Sequence, residues 1–393
     1  MTTIPDLTSH AVATARLSAI KEMAMLSARV PDAASLAWGL PSFRTPVHIR
    51  DAVTSALASD ADIGKYALPN GLPELRELAA ARHRAKTGVD VDPEQHVFIS
   101  AGNMQGMHTL LRTLLDPGDE VLVTDPGFVS HYQQIVLAGG TPVAWPLDEQ
   151  AGWRLDVPRL DELVTPRTKA VVLVNPCNPT GTLFDKRALD EFARVLARQN
   201  IVVLIDDPYS EILYENHARF FNLAAVEALR DRLAYLFTFS KIYAMSGWRL
   251  GYMIIPDWLR DGVLKVHDAN MICTPRVSQV AGIAALGGPQ THLREFERIL
   301  ERRRELICAR LDELPHVFQY QRPDGAYYVF PRIVADHGDD REFAMRLLNE
   351  ARVTVTPGSA FGSAGAHHVR MAFCVDDDVI NLAFDRLEAL FGK

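Results

Sequence analysis

The chain has 393 residues, 48% of them hydrophobic and 23% charged, and a formal net charge of -8. Such a length implies two or three domains, and the acidic balance leaves no basic field to draw in nucleic acid or an anionic membrane. Cys177, Cys273, Cys308 and Cys374 are far apart with no C-x-x-C pair, no stretch reads as a leader and no apolar run has bilayer length, so the expectation is a soluble, cytoplasmic protein without metal or disulfides.

At the N-terminus, Val12, Ala15, Ile20, Met23 and Leu26 recur at helical spacing and predict an arm that docks on the body of the protein. Gly39 follows in A-W-G-L-P as a turn glycine, and Tyr66 stands on a loop ahead of a helix in G-K-Y-A-L-P-N-G. Between about residues 50 and 285, β-rich runs at 96–100, 120–124, 170–175, 201–206, 234–239 and 251–255 alternate with helical stretches. Several runs are apolar at nearly every position, as strands covered on both faces are, and their spacing leaves room for crossover helices. The expectation is an α/β domain around a mostly parallel sheet. The remainder reads as a smaller α+β domain: a long helix over 289–314, short strands at 326–330, 353–356 and 369–373, then a closing helix. Arg302, Arg303 and Arg304 are expected on the solvated face of the long helix. The predicted division is 1–45 for the arm and part of the small domain, 46–285 for the large domain and 286–393 for the small C-terminal domain, with a ligand cleft between the two.

Chemistry-bearing residues follow the strand ends. In S-A-G-N-M-Q-G-M, a strand gives way to a helix whose free amides after Gly102, at Asn103 and Met104, suit a phosphate. Phe128, after the next strand, is placed either to stack on a planar ring or to fill the core. Two Asn-Pro pairs in N-P-C-N-P-T-G stiffen a loop that either aims the Asn178 amide inward or forms an inert turn. Asp206 ends a strand of the parallel sheet, where ligands gather, with Asp207 and Tyr209 beyond it. A buried carboxylate there keeps a pyridine nitrogen protonated; a turn or helix-cap aspartate is the alternative. In T-F-S-K-I-Y-A-M-S-G-W-R, Lys241 lies among Phe239, Ile242, Tyr243 and Trp248. Lost hydration favours its neutral, nucleophilic amine, and Thr238, Ser240 and Arg249 can hold a phosphate beside it. A phosphate-bearing aldehyde that condenses with lysine is pyridoxal 5'-phosphate. Arg370, on a short strand in H-H-V-R-M-A-F, has the donor fork for a carboxylate.

Taken in order, Gly39, Tyr66, Gly102-Asn103-Met104, Phe128, N-P-C-N-P-T-G, D-D-P-Y, S-K-x7-R and H-V-R resemble the class I/II, fold-type I, pyridoxal-phosphate-dependent aminotransferases over essentially the whole chain. The resemblance implies that fold and a set of roles. Lys241 forms the internal aldimine, Asp206 pairs with the pyridine nitrogen, Asn178 and Tyr209 bond the cofactor's phenolic oxygen, and Phe128 stacks on its ring. Asn103, Met104, Thr238, Ser240 and Arg249, around Gly102, form the phosphate cup. Tyr66 reaches the phosphate of a neighbouring subunit, which implies a homodimer with shared active sites. Gly39 and Arg370 bind the substrate's α-carboxylate, and Asn178 also binds the substrate. Asp207-Pro208 stands where many members have Glu-Val or Glu-Ile, and Thr238 where serine is usual; both changes keep the required groups.

The implied reaction is a ping-pong transamination from an L-amino acid to a 2-oxo acid such as 2-oxoglutarate or pyruvate, with Lys241 as the general base. Trp38, Leu40, His131, Tyr132 and Tyr327 are expected to line a partly apolar, aromatic side-chain pocket. That favours a neutral or aromatic donor and leaves aspartate open, since no single residue demands a dicarboxylic substrate. A pyridoxal-phosphate-dependent β-lyase, oxidase or synthase on the same scaffold is the alternative, because fold does not dictate reaction.

Overall fold

The computed structural model describes residues 8–15, 17–214, 220–336 and 338–392. The strands of its main sheet, numbered in chain order, are β1 (Val97–Ser100), β2 (Glu120–Asp125), β3 (Thr141–Asp148), β4 (Arg154–Leu155), β5 (Thr168–Val174), β6 (Val202–Asp207), β7 (Leu233–Thr238) and β8 (Gly251–Ile254). Their spatial order is β1-β8-β7-β6-β5-β2-β3-β4. From β7 to β3 every pairing is parallel, whereas β8 runs antiparallel to both of its neighbours. The link from Thr238 to Gly251 carries no crossover helix, so the chain returns beside the strand it has just left.

Alternation explains why the central strands are apolar throughout. In β5, Val171 and Leu173 enter one core while Ala170 and Val172 enter the other; Leu204 and Leu236 likewise part from Val203, Ile205, Tyr235 and Phe237. Helices cover both faces, and every side chain of β2, β6 and β7 is buried. The β3 strand escaped prediction because Pro142 and Pro146 interrupt it. Opposite both prolines it has a partner on one side only, β4 pairing with Leu147 and Asp148 alone, so their missing N–H groups break no ladder.

The C-terminal part builds a second layer from the helix Thr291–Asp312, a three-stranded antiparallel sheet with Val369–Ala372 at its centre, and the helix Asp377–Phe391. The N-terminal segment joins this layer: Ala34–Ser35 pairs with Val353–Thr354, and the helix Ala19–Ser27 is tied to it by Thr354 Oγ1 donating to Ser27 Oγ at 2.8 Å. Asp125, at the end of β2, stitches sheet to layer by accepting from Ser363 N at 3.0 Å, Ser363 Oγ at 2.7 Å and Ala364 N at 3.0 Å. Gly362 permits that approach, since its φ is +125° and a Cβ there would overlap the Asp125 carboxylate.

One expectation about the long helix is corrected. Arg302 is exposed and pairs with Asp377, but Arg303 and Arg304 are buried. Arg303 donates to Asp376 at 2.7 Å and Asp377 at 3.0 Å, and Arg304 Nε donates to the Pro323 carbonyl at 2.8 Å while lying over Tyr214. The partners come from distant segments, so the run looks solvated in sequence and is bound in space.

Candidate active site

The carboxyl ends of β1, β2, β5, β6 and β7 share one edge of the sheet, the place where ligands bind in open parallel sheets. Between this edge and the C-terminal layer lies a cavity of about 580 Å³. Its walls include Gly39, Asn103, Met104, Phe128, Asn178, Asp206, Tyr209, Thr238, Ser240, Lys241, Arg249 and Arg370, residues spread over most of the chain.

At the end of β6, strand alternation sends two adjacent carboxylates apart. Asp206 lines the cavity; its Oδ1 accepts from Asn103 Nδ2 at 2.6 Å and its Oδ2 lies 3.0 Å from His131 Nε2. Asp207 points away, accepting from the Tyr235 hydroxyl and from Ser210 N, and burial pushes its carboxyl above the usual range.

Lys241 Nζ donates to the Gly39 carbonyl at 2.9 Å, which also accepts from Tyr327 at 3.2 Å. Burial lowers its amine to about 8; of the groups facing it, Cys374 opposes the shift, Arg370 adds to it, Asp206 opposes it and Arg249 adds to it. In protein freed of cofactor, labelling of Lys241 by an amine-selective reagent is therefore expected to rise with pH to an inflection near 8. Mass mapping of the labelled peptide checks this, and an inflection in the ordinary lysine range would contradict it.

Arg370 is only 1% exposed. Nη1 donates to Asn178 Oδ1 at 3.0 Å and Nη2 to the Ala37 carbonyl at 2.5 Å, and the guanidinium lies 4.3 Å from the centre of the Tyr328 ring. Its Nε is buried and has no partner among the described residues.

A third group of donors gathers where β1 meets the helix Asn103–Leu114. The amides of Asn103 and Met104 open that helix and so have no acceptor within it. Gly102, with φ +76°, leaves room for the Arg249 guanidinium, whose Nη2 a Cβ there would approach to 2.7 Å. Arg249 is steadied by donating to Ser246 O at 2.6 Å and Ala101 O at 3.3 Å, and Thr238 Oγ1 donates to Ser240 Oγ at 2.9 Å. Hydroxyls, helix amides and a guanidinium, with the Lys241 amine and the Asp206 carboxylate in the same cavity, form a set of groups that fits a phosphorylated pyridine aldehyde.

Three expected residues lie elsewhere. Tyr66 is 75% exposed and outside the cavity of its own chain. Tyr132 and Tyr327 do not line the cavity: Tyr132 donates to Thr124 O, and Tyr327 sits behind Gly39. His131 does line it, but is engaged with Asp206 and meets Phe128 edge to face at 5.2 Å. Tyr328 went unpredicted. Its hydroxyl is 3.0 Å from that of Tyr209, and it crowds Gly39 so closely that a Cβ there would lie 1.9 Å away. Ser18, Ile20 and Lys21 of the N-terminal arm are also unforeseen lining residues. Nothing local in the sequence marks them, because the fold alone carries the arm to the rim.

The family model for aminotransferase class I and II matches residues 31–387. The chain is 35% identical over 380 residues to an aspartate aminotransferase of Pyrococcus abyssi, and equally to aromatic-amino-acid aminotransferase 2 of Thermococcus litoralis, with 96% of each chain covered in both cases. It superposes on the structure of an alanine aminotransferase from Pyrococcus furiosus with a TM-score of 0.91 and 31% identity, covering 98% of this chain and 99% of that one. The chain therefore belongs to the class I and II aminotransferases, enzymes that depend on pyridoxal 5'-phosphate.

Proposed function

We propose that the enzyme moves the amino group of a neutral or aromatic L-amino acid to a 2-oxo acid in two half-reactions at one site, with aspartate as a further donor. The observation that carries this proposal is a buried amine of lowered proton affinity, Lys241, in one cavity with Asp206 and Arg370.

In this assignment Thr238, Ser240, Arg249 and the amides of Asn103 and Met104 beyond Gly102 hold the cofactor's phosphate. Asn178 and Tyr209 would bond its phenolic oxygen, Phe128 would cover its ring, Asp206 would pair with its ring nitrogen and Lys241 would condense with its aldehyde. Bound there, pyridoxal 5'-phosphate supplies a carbonyl that takes the amino group and a cationic ring that draws electrons from the substrate's α-carbon. Asp206 keeps the ring nitrogen protonated; Asn103 and His131, one on each oxygen, prevent its rotation. Arg370, Asn178 and Gly39, which line the same cavity, orient the α-carboxylate. Lys241 Nζ then takes the α-proton and would deliver it to the cofactor's former aldehyde carbon, so that water can release the 2-oxo acid, a task suited to an amine lowered to about 8.

We also infer a homodimer in which Tyr66 completes the partner's phosphate site. Its exposure, shared with Leu57 and Leu68, supports this. The division at residues 45 and 285 is kept as the domain assignment, supported by the pairing of Ala34–Ser35 with the C-terminal layer. Among the described residues no helix is long and apolar enough to cross a membrane. The four free cysteines support a cytoplasmic location.

Single-turnover chemistry tests the reaction type. Mixed with an amino acid and no acceptor, the holoenzyme is expected to release about one equivalent of 2-oxo acid per site and stop until a 2-oxo acid is added. Continuous release of ammonia or uptake of oxygen would overturn the proposal.

A further inference from the structure

Two buried hydroxyls face each other where the cavity meets the C-terminal layer. Tyr209 lies just beyond β6, and Tyr328 opens the strand Tyr328–Val329, which pairs through Ala372 with the central strand of that layer. Their oxygens are 3.0 Å apart, and both residues are buried and line the cavity. Tyr209 has a task in the assignment above, at the cofactor's phenolic oxygen. Tyr328 has none.

We propose that Tyr328 is a positioning residue: its hydroxyl donates to the oxygen of Tyr209 and so directs the one hydrogen of Tyr209 to the cofactor's phenolic oxygen; this rests on the assignment of Tyr209. Two hydroxyls in contact place a single hydrogen between them, and the other hydrogen points elsewhere. Where an anionic phenolic oxygen is the second acceptor, the bond to it is charge-assisted and about twice as strong as one between neutral groups. The Tyr209 hydrogen therefore goes to the cofactor, which leaves the Tyr209 lone pairs to Tyr328. Donation by Tyr328 in turn polarises the Tyr209 O–H and strengthens the bond that it makes.

The surroundings of Tyr328 hold its hydroxyl in that place. The Arg370 guanidinium lies over its ring, which also meets Tyr209 edge to face at 5.8 Å and rests against Tyr327 at 4.9 Å. The hydroxyl fills the space that a Cβ at Gly39 would need, so the lack of a side chain at residue 39 is what admits it. Tyr327, the adjacent ring, gives its own hydrogen to the Gly39 carbonyl. Burial raises the hydroxyls of both Tyr209 and Tyr328, and the Arg370 cation opposes the rise. An O–H beside a cation is the better donor, which suits Tyr328 to the giving side of the pair.

The test reads colour rather than turnover. A hydrogen bond to the phenolic oxygen favours its deprotonated form, so losing one raises the pH midpoint at which the absorbance of the bound cofactor changes. In holoenzyme without substrate, Tyr209→Phe is expected to raise that midpoint by about one unit or more, the scale of a charge-assisted bond. Tyr328→Phe is expected to raise it by about 0.3 to 0.5 unit, roughly twofold to threefold in the proton equilibrium, and to add nothing in the Tyr209→Phe background. Phenylalanine keeps the ring beneath Arg370, so the substitution removes the hydroxyl alone. A midpoint that Tyr328→Phe leaves unchanged or lowers overturns the proposal, since Tyr328 would then be idle or would take the Tyr209 hydrogen for itself. A rise that persists without the Tyr209 hydroxyl overturns it as well. If Tyr209→Phe leaves the midpoint in place, the assignment of Tyr209 falls and the proposal with it, whereas failure at Tyr328 alone leaves that assignment standing.

Discussion

Lys241→Ala is expected to lower turnover by about ten-thousandfold or more, since it removes both the nucleophile and the general base. No other side chain in the cavity replaces it. Lys21 sits at the rim over Trp38, and the guanidinium groups of Arg249 and Arg370 are donors without an acceptor lone pair. The fold should survive: the truncation leaves space in a cavity that already exists, and the Gly39 carbonyl keeps the Tyr327 hydroxyl as its donor. The phosphate donors also remain, so the variant is expected to retain the cofactor without a covalent link. Steady-state assays with the best donor and acceptor, alongside an absorbance titration with cofactor, separate the two effects. Activity within a few per cent of wild type would contradict the role given to Lys241.

Asp206→Asn is expected to lower kcat/KM by about a hundredfold to a thousandfold, the scale on which a fixed catalytic charge acts in a water-poor site. The substitution changes almost no volume. It replaces one carboxylate oxygen with an amide group, so either Asn103 Nδ2 or His131 Nε2 then faces a donor instead of an acceptor. The ring nitrogen loses the negative charge that keeps it protonated. Asp207→Asn is the informative control, because Asp207 faces Tyr235 and Ser210 on the other side of the strand. Its cost should appear in the denaturation midpoint. Equal losses of kcat/KM in the two variants would contradict the division of labour between these neighbours.

Much of the site was legible because its chemistry sits at strand ends. A parallel sheet of both-sides-buried strands announces itself as apolar runs, and the residues just after those runs are carried to one edge whatever the loops do. Asp206, Asn178, Phe128 and Lys241 were found that way, and all four line the cavity. Arg370 was found through its motif, though its sequence gives no hint that it lies buried between Tyr328 and Phe361. What stayed hidden depends on contacts between distant segments. Lys21 reaches the rim only because Ala34–Ser35 and Ser27 are tied to the C-terminal layer. Tyr328 and Tyr327 are adjacent and equally aromatic, yet alternation puts the first in the cavity and the second behind Gly39. Arg303 and Arg304 look like surface charges until Asp376, Asp377 and Pro323 arrive from elsewhere in the chain.

The central claim is that the amine of Lys241 carries the proton. The most direct measurement is chemical rescue of Lys241→Ala by small primary amines added to the solution. The truncation lengthens a cavity of about 580 Å³, enough to admit methylamine or ethylamine where Nζ stood. If the amine is the proton carrier, rescue rises with the amine's basicity at constant size, and falls when the amine is protonated. An unrescued variant, or rescue indifferent to basicity, would show that the proton travels by another route.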